Sequence, residues 1–239
     1  MGLADLHMHT IYSYDGTASV PAVLARAKQV GLDVIAITDH DEIKGARKAF
    51  DLAPEFGIEV IPGIEITTAE GDLLALFVTE KIEPGLSLIE TILKVGEAGG
   101  ICIAPHPMAR GMGMKSLSAA SITRALCHPD VSRVLIGIET YNATALDRES
   151  NRNAQTLVAE HPGMAQVGNS DAHALQAIGL GATEFPGQTA AELLDALWIS
   201  ATDVRRGAEL SSARILGTWA INYIMSAPTR VSIAYPQMI

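Results

Sequence analysis

Cysteine is scarce in this chain of 239 residues: there are two, Cys102 and Cys127, and they form no C-x-x-C pair. That excludes a disulfide framework and a thiolate-rich structural zinc site, and it suits a reducing, cytoplasmic setting. Cys102 lies in an apolar run and reads as a small core residue. Aromatic residues are also few: four Phe, two Trp and five Tyr offer no stacking platform for a long single strand. Positive charge is short. Lys and Arg number 17 against 27 Asp and Glu, a formal net charge of -10, which argues against a general binder of duplex nucleic acid. No uncharged apolar run approaches the roughly 20 residues of a membrane span. Asp5 and His7 interrupt any apolar leader, and Met1-Gly2 is followed at position 6 by Leu6 rather than the Ser or Thr of an acylation signal. The expectation is a soluble, cytoplasmic protein with no membrane partner.

Apolar residues make up 48% of the chain, enough for one large domain with strands apolar on both faces. Apolar runs rich in β-branched residues alternate with helical patterns. Candidate strands are residues 3–7, 33–38, 59–64, 73–78, 100–104, 134–139 and 165–168. Candidate helices are residues 19–30, 87–98, 143–160 and 189–201. The first has Ser19 as a cap, Pro21 in the opening turn and Gly31 past its end. This alternation predicts an α/β fold of parallel strands with crossover helices. About seven such units in one domain predict a closed or nearly closed barrel over residues 1–209. Residues 210–239, with Trp219, Tyr223 and Tyr235, depart from the rhythm. They are expected as a closing helix and tail packed on the barrel, with an oligomer contact as the alternative; the pattern sets no oligomeric state.

Five of the seven histidines sit in short motifs that also carry acids or fall where strands should end. These are Asp5-Leu6-His7-Met8-His9-Thr10, Thr38-Asp39-His40-Asp41, Pro105-His106-Pro107 and Ser170-Asp171-Ala172-His173; Glu65 adds a carboxylate after another apolar strand. Residues i and i+2 of a strand face the same way, so His7 and His9 reach one ion, as do Asp171 and His173. In a barrel of parallel strands the C-terminal ends share one rim, and ligands distant in sequence converge there. The mix of imidazole and carboxylate without thiolate suits zinc, manganese or iron(II) in a catalytic site. Seven or eight ligands exceed the needs of one ion, and Glu65 is the natural bridge between two. His128 and His161 precede prolines and read as surface or capping residues.

Together with Tyr14-Asp15-Gly16, Pro62-Gly63-Ile64-Glu65 and Asn169-Ser170-Asp171, these motifs are similar to those of the PHP family, named for polymerase and histidinol phosphatase. The resemblance runs over residues 3–206. It implies a distorted seven-stranded (β/α) TIM-like barrel with its site at the C-terminal rim, two or three divalent ions (Mn, Zn, Fe or Mg), and phosphoester hydrolysis. It implies that His7, His9, Glu65 and Asp171 hold one ion, that Glu65 bridges to a second held by His106, and that Asp15, His40 and His173 hold a third. Alone, Ser13-Tyr14-Asp15-Gly16 reads as a turn; its place after H-x-H makes Asp15 a ligand candidate. Many members have a histidine in the strand after Glu65. Here that stretch is Asp72-Leu73-Leu74-Ala75-Leu76-Phe77 and offers no imidazole. The second ion then lacks that ligand, takes water, or recruits Glu139 or Asn142, unless Glu139 is a buried structural carboxylate. Asp5 and Asp39 are expected to fix imidazole tautomers by accepting N–H bonds.

The expected reaction is attack of water on a phosphomonoester, with metal charge activating the water and binding phosphoryl oxygens. A bound ion, or a protonated His173 or Asp171, is the candidate to neutralise the leaving oxygen. Arg110, three residues past Pro107 in a glycine-containing loop, is the candidate phosphate clamp; Lys115, Arg148 and Arg152 are further cations. The substrate expected is a small phosphorylated molecule: a nucleotide, a nucleotide bisphosphate or the end of a short oligonucleotide, with histidinol phosphate as rival. An amidohydrolase and a non-catalytic metal-stabilised module are the readings from other classes. Against the first, Glu65 stands where a carboxylated lysine would be needed.

Overall fold

A computed structural model describes residues 1–111, 114–145, 148–208 and 210–234. Its nine strands form one sheet that curls into a nearly closed barrel. In chain order they are β1 (Gly2–Asp5), β2 (Val34–Ile37), β3 (Glu59–Thr67), β4 (Asp72–Leu76), β5 (Ile101–Ala104), β6 (Leu135–Asn142), β7 (Ala165–Asn169), β8 (Gly181–Phe185) and β9 (Asp203–Arg206). The spatial order is β7-β6-β5-β4-β3-β2-β1-β8-β9. Helices α1 (Val20–Gln29), α2 (Lys44–Phe56), α3 (Leu88–Glu97), α4 (Ala119–Leu126), α5 (Arg148–Glu160) and α6 (Ala190–Trp198) follow strands, and α7 (Ser212–Ala234) ends the described chain.

The expected barrel is present, with two corrections. First, nine strands replace seven. Second, the sheet is mixed. β4 runs antiparallel to β3 and β5, and β8 runs antiparallel to β1 and β9. The link from β3 to β4 has four residues, too short for the crossover that a parallel pair requires. β3 is also longer than its apolar run suggests. Glu65 therefore lies inside a strand, opposite Leu74, rather than after its end.

Local signals explain the helices that carry the frame. Ser87 and Glu90 bond reciprocally to the first turn of α3, and Thr189 with Glu192 does the same for α6. α1 has Pro in its first turn and Gly31 at φ 81° just beyond it. The barrel interior is a column of Leu6, Val34, Ala36, Ile61, Leu74, Leu76 and Val167, closed below by Phe185 with Leu193 and Leu197 of α6. A second apolar layer, including Leu24, Ile35, Ile37, Ala46 and Ile92, lies between the sheet and the outer helices.

The seam between β7 and the β8–β9 pair is closed by side chains. The Thr183 hydroxyl both accepts from Gly168 N (3.1 Å) and donates to Gly168 O (3.0 Å), and Thr202 donates to Gln166 O (2.7 Å). α7 reaches the upper rim, where the Trp219 indole donates to the carbonyl of Asp15 (2.9 Å). Leu216, Ile221, Ile224 and Met225 of α7 are exposed. Tyr235 lies outside the described residues. No helix among the described residues is long and apolar enough to cross a membrane.

Candidate metal centre

The parallel strands end at one rim, where the loops just beyond them, together with Glu65 in β3, Asp72 in β4 and Glu139 in β6, carry the charged groups. After β1 the chain stays extended through His9: Thr38 N bonds Met8 O (3.0 Å) and His9 N bonds Ala172 O (2.9 Å). His7 and His9 are thereby set beside Asp171 and His173. His40 forms a bridge pair with Glu65. Three residues here hold the left-handed region without being glycine: Asp41 and Asp171 (both φ 51°) and His106 (φ 29°). Such conformations cost of order 1–3 kcal/mol each and persist only where the surroundings fix them.

Glu65 stands at the centre, fully buried. Its Oε1 faces His106 Nε2 (3.1 Å). Its Oε2 faces His7 Nε2 (3.2 Å), His9 Nε2 (3.3 Å) and His40 Nδ1 (3.2 Å). Asp171 Oδ1 lies 3.3 Å from His7 Nε2 and 3.2 Å from His9 Nε2. On the outer side Asp15 Oδ2 faces His173 Nε2 (3.1 Å) and His40 Nε2 (3.5 Å). The Tyr14 ring, exposed at the mouth, stacks on His40 with centroids 4.9 Å apart. Four sets of donor atoms fall within 4.8 Å of one another: His9, Asp15, His40 and His173; His7, Glu65 and His106; His7, His9 and Asp171; and His40, Glu65 and Asp72.

This donor set fits divalent cations. Among the described residues, five buried side-chain atoms have no hydrogen-bond partner, and four of them are His9 Nε2, His40 Nδ1, Asp72 Oδ1 and Asp171 Oδ1. Buried lone pairs pointing at one another are costly unless a cation lies between them. The electrostatics agree. Burial raises the pKa of Glu65 and Asp171, but the surrounding imidazoles override it and hold both carboxyls well below the usual range. Burial also opposes charge on His7, His40, His106 and His173. The facing carboxylates outweigh it, and His40 rises to about 10 and His173 to about 9. His9 goes the other way, to about 4, through burial and its cationic neighbour His173.

Residues behind the candidate ligands hold their second ring nitrogens. The Nδ1 of His7 bonds Glu139 Oε1 (3.1 Å), the Nδ1 of His106 lies 3.2 Å from the Ser116 hydroxyl, and the Nδ1 of His173 bonds the Asp171 carbonyl (3.0 Å). Glu139 also accepts from His106 N, Asn142 Nδ2 and Asn169 Nδ2 (2.7, 2.9 and 2.8 Å). A register shift in β6 between Glu139 and Tyr141 lets Glu139 and Asn142, an odd spacing, turn to the same side. Asn142 donates to Asp171 Oδ2 (3.0 Å).

The tautomer role expected of Asp5 and Asp39 is corrected. Asp5 accepts the backbone N–H groups of Ser170 (3.0 Å) and Gly179 (3.1 Å), and Asp39 accepts the N–H and hydroxyl of Thr10 (2.6 and 2.7 Å). They fix the loops that carry the candidate ligands. Burial pushes Asp5 up to about 6 and Asp39 to about 7. Arg110, Lys115, Arg148 and Arg152 are exposed. Sequence reading missed Asp72, a buried carboxylate at the start of β4 that burial, with the nearby Glu65 charge, raises to about 6. Its signal was an acid directly before a wholly apolar strand.

Residues 5–176 match the PHP domain, a span that holds every candidate ligand. The chain belongs to the PHP domain family. It is 40% identical to an uncharacterised protein of Methanocaldococcus jannaschii over 165 residues, 65% of this chain and 90% of that one. It is 32% identical over 130 residues to a 5'-3' exoribonuclease of Haemophilus influenzae, covering 51% of this chain and 47% of the relative. In fold it is similar to a two-domain protein of Bacteroides vulgatus, described as containing a predicted PHP-like metal-dependent phosphoesterase. That match has TM-score 0.67 and 18% identity and covers 92% of this chain and 69% of the other.

Proposed function

We propose that this PHP domain is a metal-dependent phosphoesterase that hydrolyses phosphomonoesters of small molecules. Nucleotides, nucleotide bisphosphates or short oligonucleotide ends are the favoured class. The observation that carries the reading is Glu65, whose two oxygens face different imidazoles inside a shell of buried, unpartnered donor atoms. Two or three divalent ions, manganese, zinc, iron or magnesium, fit there. Bound ions supply positive charge that activates water and neutralises phosphoryl oxygens.

The chain's own residues do the rest. Glu65 and Asp171 stay ionised. His7, His9, His40 and His106 present nitrogens inward, and His173 with Asp15 forms the outer edge. Among the candidates for the leaving oxygen, Asp171 drops out as a proton donor, because it is held well below the usual carboxylate range, and His173 can donate only where its nitrogen does not hold an ion. Arg110, exposed in the loop after His106, is the proposed phosphate contact. The names of two similar proteins, an exoribonuclease and a metal-dependent phosphoesterase, agree with a phosphoester substrate. The proposal takes residues 1–209 as the catalytic barrel, 210–239 as an element packed on it, and the cytoplasm as its setting. The acidic chain is not proposed to bind duplex nucleic acid.

The test is phosphate release by metal-stripped protein refilled with manganese, zinc, iron(II) or magnesium. Substrates are p-nitrophenyl phosphate, AMP, adenosine 3′,5′-bisphosphate, a short oligoribonucleotide and histidinol phosphate. Metal-dependent release that is lost in His9→Ala is the expected result. Bound ions without release from any substrate would overturn the proposal in favour of an amidohydrolase or a non-catalytic module.

A further inference from the structure

Three polar groups beside the cluster are not yet assigned to an ion: Glu139, Asn142 and Asp72. Two of them are spent. Glu139 already accepts four hydrogen bonds, from His7, His106, Asn142 and Asn169. Asn142 gives its amide hydrogens to Glu139 and Asp171, and its oxygen accepts Thr144 N and Ala145 N. Neither has a lone pair left to offer.

Asp72 is different. It is 2% exposed, and its Oδ1 has no hydrogen-bond partner. A buried carboxylate oxygen without a donor is costly, and no neighbouring N–H relieves it. The position is also held rigidly. Asp72 N bonds Lys115 O (2.6 Å), and Gly71 before it sits at φ 152° with Leu117 N only 2.7 Å from where a Cβ would be. The β3–β4 turn is thereby clamped against the loop that follows His106, which leaves the side chain aimed at the cluster. A donor atom of Asp72 lies within 4.8 Å of donor atoms of Glu65 and His40.

We propose that Asp72 is a metal ligand, holding a divalent ion together with Glu65 and His40. The inference rests on the metal-centre reading above and adds a residue and a preference to it. Two carboxylates and one imidazole make this position harder and more anionic than a histidine there would. Oxygen-rich sites suit manganese or magnesium, whereas added imidazole favours zinc. The chain therefore selects the harder ion at this position.

The experiment reads metal content, not activity. Full-length protein, its Asp72→Asn variant and its Asp72→His variant are stripped, refilled with manganese and desalted. Ions per chain are counted by plasma mass spectrometry, and manganese is then competed with zinc. Asp72→Asn should hold one ion fewer. Asp72→His should regain it and shift the competition toward zinc. Regain in Asp72→His shows that the loss in Asp72→Asn is a lost ligand rather than a lost fold. The inference is overturned if Asp72→Asn holds as many ions as the wild type, or if Asp72→His holds no more than Asp72→Asn. Wild-type protein that retains no ion would overturn the metal-centre reading itself, a result distinct from either.

Discussion

A carboxylate oxygen of Glu139 sits 3.1 Å from His7 Nδ1, and that bond decides which nitrogen of His7 faces the cluster. With Nδ1 engaged behind, Nε2 points forward to Glu65 and Asp171 at 3.2 and 3.3 Å. The centre is thus built in two shells, with Glu139 tying the backbone of His106 and the amides of Asn142 and Asn169 into the same knot.

Glu139→Gln should weaken metal binding roughly 10–100-fold, the usual cost of losing a group that orients a ligand. The amide would bring its own hydrogens against the N–H groups of His106, Asn142 or Asn169. Chelator competition measures the change. Affinity equal to wild type would show that Glu139 plays no part in orienting His7.

Metal-free and metal-loaded protein should respond to alkali in opposite directions. In the metal-free centre, burial opposes protonation, yet facing carboxylates raise His40 to about 10 and His173 to about 9. A folded-state pKa above the unfolded value of about 6.5 gives stability that is complete below that pH. It is lost as pH rises through 9 and 10, so the melting temperature of stripped protein should fall over this window. An ion displaces the same protons, so metal affinity should climb with pH over the same range. Thermal melts across pH, with and without chelator, test both slopes; a flat profile for stripped protein contradicts the assignment.

Gly45→Ala should destabilise the fold by roughly 1–3 kcal/mol, the range for overfilling a tight interior. The added carbon would lie 1.9 Å from Asp39 Oδ2 and 2.8 Å from Thr10 Oγ1, so the Thr10–Asp39 pair would have to part. Urea unfolding gives the number. Unchanged stability would mean that α2 can slide away from the site without cost.

Arg110→Ala tests the phosphate contact. Loss of a charge-assisted hydrogen bond of roughly 1.5–3 kcal/mol should lower kcat/KM by about ten- to a hundredfold, chiefly through KM. Metal content should not change. Unaltered kinetics would remove Arg110 from the site.

Much of the frame was legible because it follows local rules. Pro21 with Gly31 around α1 and the apolar runs of β2 and β5 announce themselves. α2 was missed because its N-cap position is Ile43 and it carries Pro54, which hide the usual start signal and interrupt the pattern. β9, Asp203–Arg206, has almost no apolar residue; it is a strand only because β8 lies beside it. In the site, H-x-H is visible because a period of two in extended chain puts both side chains on one face; for D-x-H that rule fails, since Asp171 is left-handed and groups with His7 and His9 while His173 groups with Asp15 and His40. Asp72 was passed over because its role depends on the β3–β4 turn that places it, and the work of Glu139 depends on an irregularity in β6 that no spacing reveals.

β1 lies between β2 and β8, with Ala4 opposite both Val34 and Thr183. Three further hydrogen bonds tie the end of β1 to the end of β7 and the chain beyond it: Asn169 accepts from Leu6 N, and Asp5 accepts from Ser170 N and Gly179 N. The consequence concerns the order of synthesis. A chain leaving the ribosome shows His7 and His9 early, long before Asp171 exists to face them. Pairing over such separation is slow, because the intervening chain must first be closed into a loop. The first imidazoles made therefore wait without the last carboxylate, and the centre comes into being late, when the strand bearing Thr183 docks beside the strand that was made first.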